Sequence, residues 1–239
     1  MLRILFGEAP RVAEGKLAEV YRELGRFVSL MTDRISSGQD PNRKLRTYEI
    51  WTLGLLASLD ELEQSCYAVH GYAARITKRS VELMTEEEKL DYYRYVYFDK
   101  NAFIRVFAIL DKLGTFLDDT LSLETKRIKP HFSYFTVLRG MRQRHLHPAL
   151  SMVLGELKDK HKTTLSNLRK RRNVEIHYMN VELIDDLSQS NAAYGKQAQL
   201  ENIAGQLADL DAAFEMVAES LRLTFVYVRG KMQSNASIG

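Results

Sequence analysis

Proline is scarce, four residues in 239, and glycine numbers only thirteen. A collagen-like rod and a wholly disordered chain are both excluded on that count. There is one cysteine, Cys66, so an internal disulfide framework cannot form, and a thiolate metal cluster would need ligands from elsewhere. No run of about 18 apolar residues occurs, and a membrane-spanning helix is not indicated. The opening MLRILFGEAPRVAEGK holds a few apolar residues but no apolar stretch of useful length for a signal segment. The expectation is a soluble, cytoplasmic protein. Charge of one sign is also lacking overall: 34 basic residues against 31 acidic give +3, which says little about partners. No βαβ alternation, glycine-rich phosphate loop or regular hairpin signal is present.

What is there is helical periodicity, in a chain with 45% hydrophobic residues and enough length to bury a real core. Leu17, Val20, Leu24, Phe27, Met31 and Ile35 step by threes and fours, as on one face of an amphipathic helix. Asp40-Pro41-Asn42 interrupts that pattern as a turn would. Tyr48, Thr52, Leu55, Leu59, Leu62, Cys66 and Val69 form the next stripe, with Thr47 expected as its cap. Thr85 followed by three glutamates predicts another helix start, and Phe103 to Leu117 continues it. Between Leu121 and Leu150 the pattern weakens around Pro130 and Pro148, which predicts short helices or an ordered crossover. A long C-terminal helix is expected over 196–230, from Ile203, Leu207, Leu210, Phe214, Val217 and Leu221. The expected fold class is all-α: a bundle of about seven or eight helices, read as one domain over 1–239. Residues 1–121 have room for extra N-terminal helices or a subdomain.

The charge is uneven along the chain. Residues 125–178 hold thirteen Lys or Arg against three acids, a net +10, and five of the six histidines. Such a concentration suits a phosphate backbone if the side chains share a surface, and a solvated set pointing in several directions if they do not. The run Tyr92-Tyr93-Arg94-Tyr95-Val96-Tyr97-Phe98 offers rings for base stacking, but aromatics on all sides of one helix more often pack between its neighbours. His145 and His147 lack further ligands at metal spacing. Asp118-Asp119 and Asp185-Asp186 are unconstrained as partners, and no metal or other cofactor is expected.

The strongest chemical feature is Arg169-Lys170-Arg171-Arg172-Asn173-Val174-Glu175-Ile176-His177. On a continuous helix Asn173 and His177 share a face, whereas Arg172 and His177 are about 140° apart at the α-helical period. Bending at a helix end, side-chain reach or a second copy of the helix would have to bring those two together. An ordinary structural reading also fits, with Arg171 and Glu175 as a surface i,i+4 pair and His177 as a helix-end histidine. The Arg-to-His spacing recurs at Arg142 and His147. That copy begins Arg-Gln and runs straight into Pro148, and it is assigned mainly to chance.

Arg172-Asn173-Val174-Glu175-Ile176-His177, with Leu168 before it, resembles the signature of the HEPN superfamily: Arg, four to six residues, then His, commonly with Asn after the Arg. The resemblance implies a compact helical bundle, often a homodimer in which two signatures meet in a cleft, and in many members a metal-independent endoribonuclease. By the same analogy Arg172 and His177 are catalytic, Asn173 supports them, Arg169 and Arg171 bind nucleic acid, and RNA is the substrate. A protein antitoxin or a nucleotidyltransferase is the implied partner. Two other readings stay open on the same residues: a helical module that binds RNA or protein without turnover, and a structural homo-oligomer.

Overall fold

The computed structural model describes residues 2–177 and 202–236. Among them are eight α-helices, no β-strand, and two short 3₁₀ turns, Leu2–Phe6 and Val81–Leu83. The helices are α1 Gly15–Ser36, α2 Lys44–Ala73, α3 Glu86–Thr120, α4 Thr125–Ile128, α5 Tyr134–Gln143, α6 Pro148–Lys160, α7 Lys162–His177 and α8 Ile203–Ala236. The chain is an all-α bundle, and Pro130 and Pro148 do punctuate short helices, with Pro148 in the first turn of α6 where its missing N–H costs nothing. Residues 196–201 of the expected C-terminal helix lie outside the described residues.

The helix starts follow local chemistry. At α3 the Thr85 hydroxyl accepts from the Glu88 N–H at 3.2 Å, as expected. Glu88 itself turns back to accept from the N–H groups of Thr77 and Lys78 and so ties down the preceding loop. At α2 the expectation fails. The helix begins at Lys44, and the carboxylate of Asp40 accepts from the Leu45 and Arg46 N–H groups, each at 2.9 Å. Thr47 lies inside the helix and donates to the Arg43 carbonyl. An anionic side chain that accepts from two of the helix's unsatisfied N–H groups outcompetes a neutral hydroxyl placed one turn later.

Two compact units divide the chain, and α2, α3 and α8 each contribute one stretch to each. Unit 2 comprises Val12–Glu61, Arg105–His161 and Phe214–Gly239. Its centre is a triad of fully buried rings, Phe27, Phe116 and Phe225, with centroids 4.7 to 5.6 Å apart. Glu23, which interrupts the apolar face of α1, is buried beside them on that helix and accepts from Arg26 at 2.6 Å and Arg229 at 2.9 Å. Helix α5 is clamped at its start. A Cβ on Gly114 would come within 2.8 Å of the Tyr134 backbone, so only glycine admits this approach. Asp111 accepts the Tyr134 N–H at 3.1 Å, and the Tyr134 hydroxyl meets Ser220 inside the core.

Unit 1 comprises Met1–Arg11, Leu62–Ile104 and Lys162–Ala213. Its α3 stretch buries Tyr92, Tyr95, Ala102 and Phe103, while Tyr93 and Tyr97 stay exposed. The aromatic run therefore packs on one side only: Tyr95 donates to Gln206 at 2.6 Å and Phe98 stacks on Tyr72. Glu63 gathers Arg3 and Arg11. Cys66 is buried, and desolvation, helped by the carboxylates of Asp211, Glu63 and Asp99, pushes its thiol well up, so it stays protonated. No described helix is long and apolar enough to cross a membrane.

Candidate active site

Helix α7 carries the Arg-Asn-x3-His motif within unit 1. Leu165 and Leu168 are buried and fix which face of α7 turns inward. Arg171 follows one turn after Leu168 and therefore points the same way. Its guanidinium meets the carboxylate of Asp99, which is 3% exposed, and lies 4.8 Å from the centre of the Phe103 ring. One turn further, Glu175 faces Lys100 at 3.0 Å. At the other end Asn167 donates to Asp209 at 3.0 Å, so α7 is tied to both α3 and α8. Arg171 and Glu175, alternatively read as a surface i,i+4 pair, instead make two contacts to α3, and the guanidinium expected from the resemblance to bind nucleic acid is engaged by Asp99. The reason is burial: a guanidinium turned inward needs a carboxylate, and α3 offers one.

Arg172 is partly buried, and its Nη2 donates to the Asn173 Oδ1 at 2.9 Å. The amide thus holds the arginine fork rather than standing as an isolated polar group. Arg169 and Lys170 are exposed. α7 stays helical through His177, so the five positions from Arg172 to His177 run along one uninterrupted helix. The side chain of His177 lies outside the described residues, as do Asp185 and Asp186. Two members of the site went unnoticed in the sequence, Asp99 and Phe103. A signal existed: Tyr92, Tyr95, Asp99, Ala102, Phe103 and Val106 form a single buried stripe, and one aspartate in such a stripe calls for a buried cation.

The second Arg-x4-His spacing folds differently. α5 ends at Gln143, and His145 and His147 both take left-handed backbone conformations, with φ of 53° and 46°. His147 Nδ1 lies 2.9 Å from the Tyr227 hydroxyl, and burial holds its pKa below the usual imidazole range. The +10 segment is split as well: 125–161 lies in unit 2 and 162–178 in unit 1. Asp118 accepts the Thr125 N–H at 2.8 Å and starts α4, while Asp119 lies 3.8 Å from Lys44. Among the described residues no three His, Cys, Asp or Glu side chains gather as metal ligands would.

The described helices form a bundle, and on α7 Arg172 and Asn173 stand five and four positions before His177, in the order of the signature that the sequence resembles. Residues 51–229 match the family described as HEPN_Cthe2314-like HEPN, three quarters of the chain, and the protein belongs to that family within the HEPN superfamily. No curated protein and no solved structure matches it.

Proposed function

We propose that the protein is a metal-independent endoribonuclease whose reaction is carried by Arg172 and His177. The observation that supports this most directly is the braced pair Arg172–Asn173 on a helix that continues unbroken to His177, in a chain of the HEPN superfamily. His177 takes the proton of a ribose 2′-hydroxyl, and the 2′-oxygen attacks the adjacent phosphorus. The bond from phosphorus to the 5′-oxygen breaks, that oxygen is protonated, and the products are a 2′,3′-cyclic phosphate and a 5′-hydroxyl. An imidazole suits the exchange near neutral pH. The Arg172 fork offers donors to the oxygens of the five-coordinate phosphorus, and Asn173 orients that fork. The nucleophile is already tethered to the substrate, which lowers the entropic part of the barrier.

In this reading Arg171 is a positioning residue. Its ion pair with Asp99 and its place over Phe103 set the rotation of α7. Exposed Arg169 meets the RNA backbone. The angular separation of Arg172 and His177 is closed by a homodimer in which two copies of α7 face one cleft. An antitoxin or a nucleotidyltransferase would act by covering that cleft. The test is initial cleavage of a mixed pool of structured and single-stranded RNAs by metal-free protein, with and without chelator. A substrate carrying hydrogen in place of the 2′-hydroxyl at the cut site should not be cleaved. Equal rates for the wild type and for folded Arg172→Ala and His177→Ala would remove the assignment.

A further inference from the structure

Unit 2 holds a cleft of about 370 Å³ between the end of α5 and the outer face of α6. One wall carries the Arg142 guanidinium and the His145 imidazole. The other, from α6, presents Ser151, Met152, Gly155, Glu156 and Asp159 at helical spacing, with the Asp159 carboxylate 3.4 Å from the Lys158 ammonium. Arg139 lies one turn before Arg142 on the same exposed side of α5, and Arg144 follows; none of the three has an ion pair among the described residues. Glu156 is exposed and has no ion pair among the described residues either. Gly155 lies on the α6 side of the cleft. Within a helix it is disfavoured relative to alanine, yet a Cβ placed there would meet nothing within 4 Å. Packing therefore does not require it. Its effect is to leave the floor of the cleft bare. Facing it, the left-handed turn at His145 and the anchoring of His147 by Tyr227 hold the wall of Arg142 and His145 in place.

We infer that this cleft is a nucleotide subsite for an RNA strand, apart from the residues assigned to cleavage. A phosphate sits at Arg142 and His145, with Arg139 taking a neighbouring one. One base lies over Gly155 against Met152 and gives an exocyclic amino hydrogen to Glu156. The arrangement of charge selects this occupant. A bare polyphosphate would be repelled by the carboxylate wall, whereas a nucleotide presents an anion at one end and hydrogen-bond donors at the other. That the polyanion is RNA rests on the ribonuclease reading. The consequence does not depend on turnover: bases with an amino group, such as adenine, bind better here than uracil.

The measurement is fluorescence anisotropy with uncleavable 2′-O-methyl 12-mers of A and of U over a range of salt. Wild type should bind the A strand more tightly. Arg139→Ala with Arg142→Ala should weaken it about tenfold or more and flatten the log–log salt slope by about 1.4, the share of two phosphate contacts on a single strand. A charge-matched pair on α1, Arg22→Ala with Arg26→Ala, should do neither. Gly155→Leu should keep or raise the thermal midpoint while losing affinity, a combination that unfolding cannot imitate. Glu156→Gln should narrow the preference for A over U. If Gly155→Leu binds like wild type, or if the cleft pair behaves like the α1 pair, the subsite is refuted. Strands bound in the cleft but never cut by any form of the protein would uphold the subsite and remove the nuclease. Cleavage that needs Arg172 but ignores every cleft substitution would do the reverse.

Discussion

The spacing Arg, four residues, His occurs twice in this chain, and the two copies become different objects. Arg172 and His177 lie on one unbroken helix, with Arg172 bonded to the next residue's amide and the helix pinned by Asp99 and Asp209. Arg142 and His147 are separated by a helix end and the left-handed residue His145, and His147, itself left-handed, is engaged by Tyr227. Identical spacing thus yields a pair that shares a rigid frame in one case and two residues with separate tasks in the other. The lesson is that spacing carries chemistry only through the backbone beneath it. In the second copy α5 ends at Gln143, the chain turns left-handed at His145, and Pro148 opens α6.

The sharpest way to break this comparison is kinetic. His177→Ala and Arg172→Ala should each lower the initial cleavage rate by about 10²–10⁴-fold, the usual worth of one proton-transfer or charge-stabilising group. His147→Ala should leave the chemical step unchanged on the same RNA. Equal losses from His147→Ala and His177→Ala would mean that the two copies are not distinguished by their backbones.

Next in size is the anchor of the first copy. Asp99→Ala strips the partner from Arg171, whose side chain is only 21% exposed, and should destabilise the fold by about 2–4 kcal/mol in urea titration. Replacing Arg171 by Met together with Asp99→Ala should restore much of that loss, because no buried charge is then left alone. A smaller effect belongs to the second copy: Tyr227→Phe removes one partly buried hydrogen bond and should cost about 1 kcal/mol without any change in cleavage rate.

The smallest effect is a dependence on acid. His147 and buried His161 are both held below the usual imidazole pKa, chiefly by burial, with Lys231 and Lys160 adding to it respectively. The folded state therefore binds fewer protons than the unfolded one. The contribution of each is complete above the unfolded value of about 6.5 and is lost as pH falls toward the lower folded value. The thermal midpoint should drop between pH 7 and pH 5.5, and His161→Gln should drop less over the same interval. A midpoint flat across that range would show that neither imidazole is held neutral by burial.

Much of the fold was legible in advance. The stripes Val20 to Met31, Leu55 to Val69 and Phe103 to Leu117 are buried where the periodicity put them, as are Leu210, Val217 and Leu221, whereas Phe214 and the end members Leu17, Ile35, Ile203 and Leu207 are half-buried. Their spacing is a local property, and local sequence suffices to state it. Helix ends were less legible. Asp40 caps α2 from outside the stripe, and α6 and α7 are separated by a single residue, His161, that no composition shift announces. The site was half legible: its residues could be named, but the partners of Arg171 and Glu175, 72 and 75 positions away on α3, could not.

By itself, then, the sequence determined an all-α chain, the inward faces of its long helices and the six-residue motif of its family, because a period of 3.6 and a run of named residues need no knowledge of neighbours. The tertiary structure alone decided that Arg171 is bound inward while Arg172 is braced by Asn173, that the second Arg-x4-His spacing is broken, and that Gly155 bares a cleft. Each of those outcomes depends on which helix lies alongside, and that is settled by burial across the whole chain rather than by any one stretch of it.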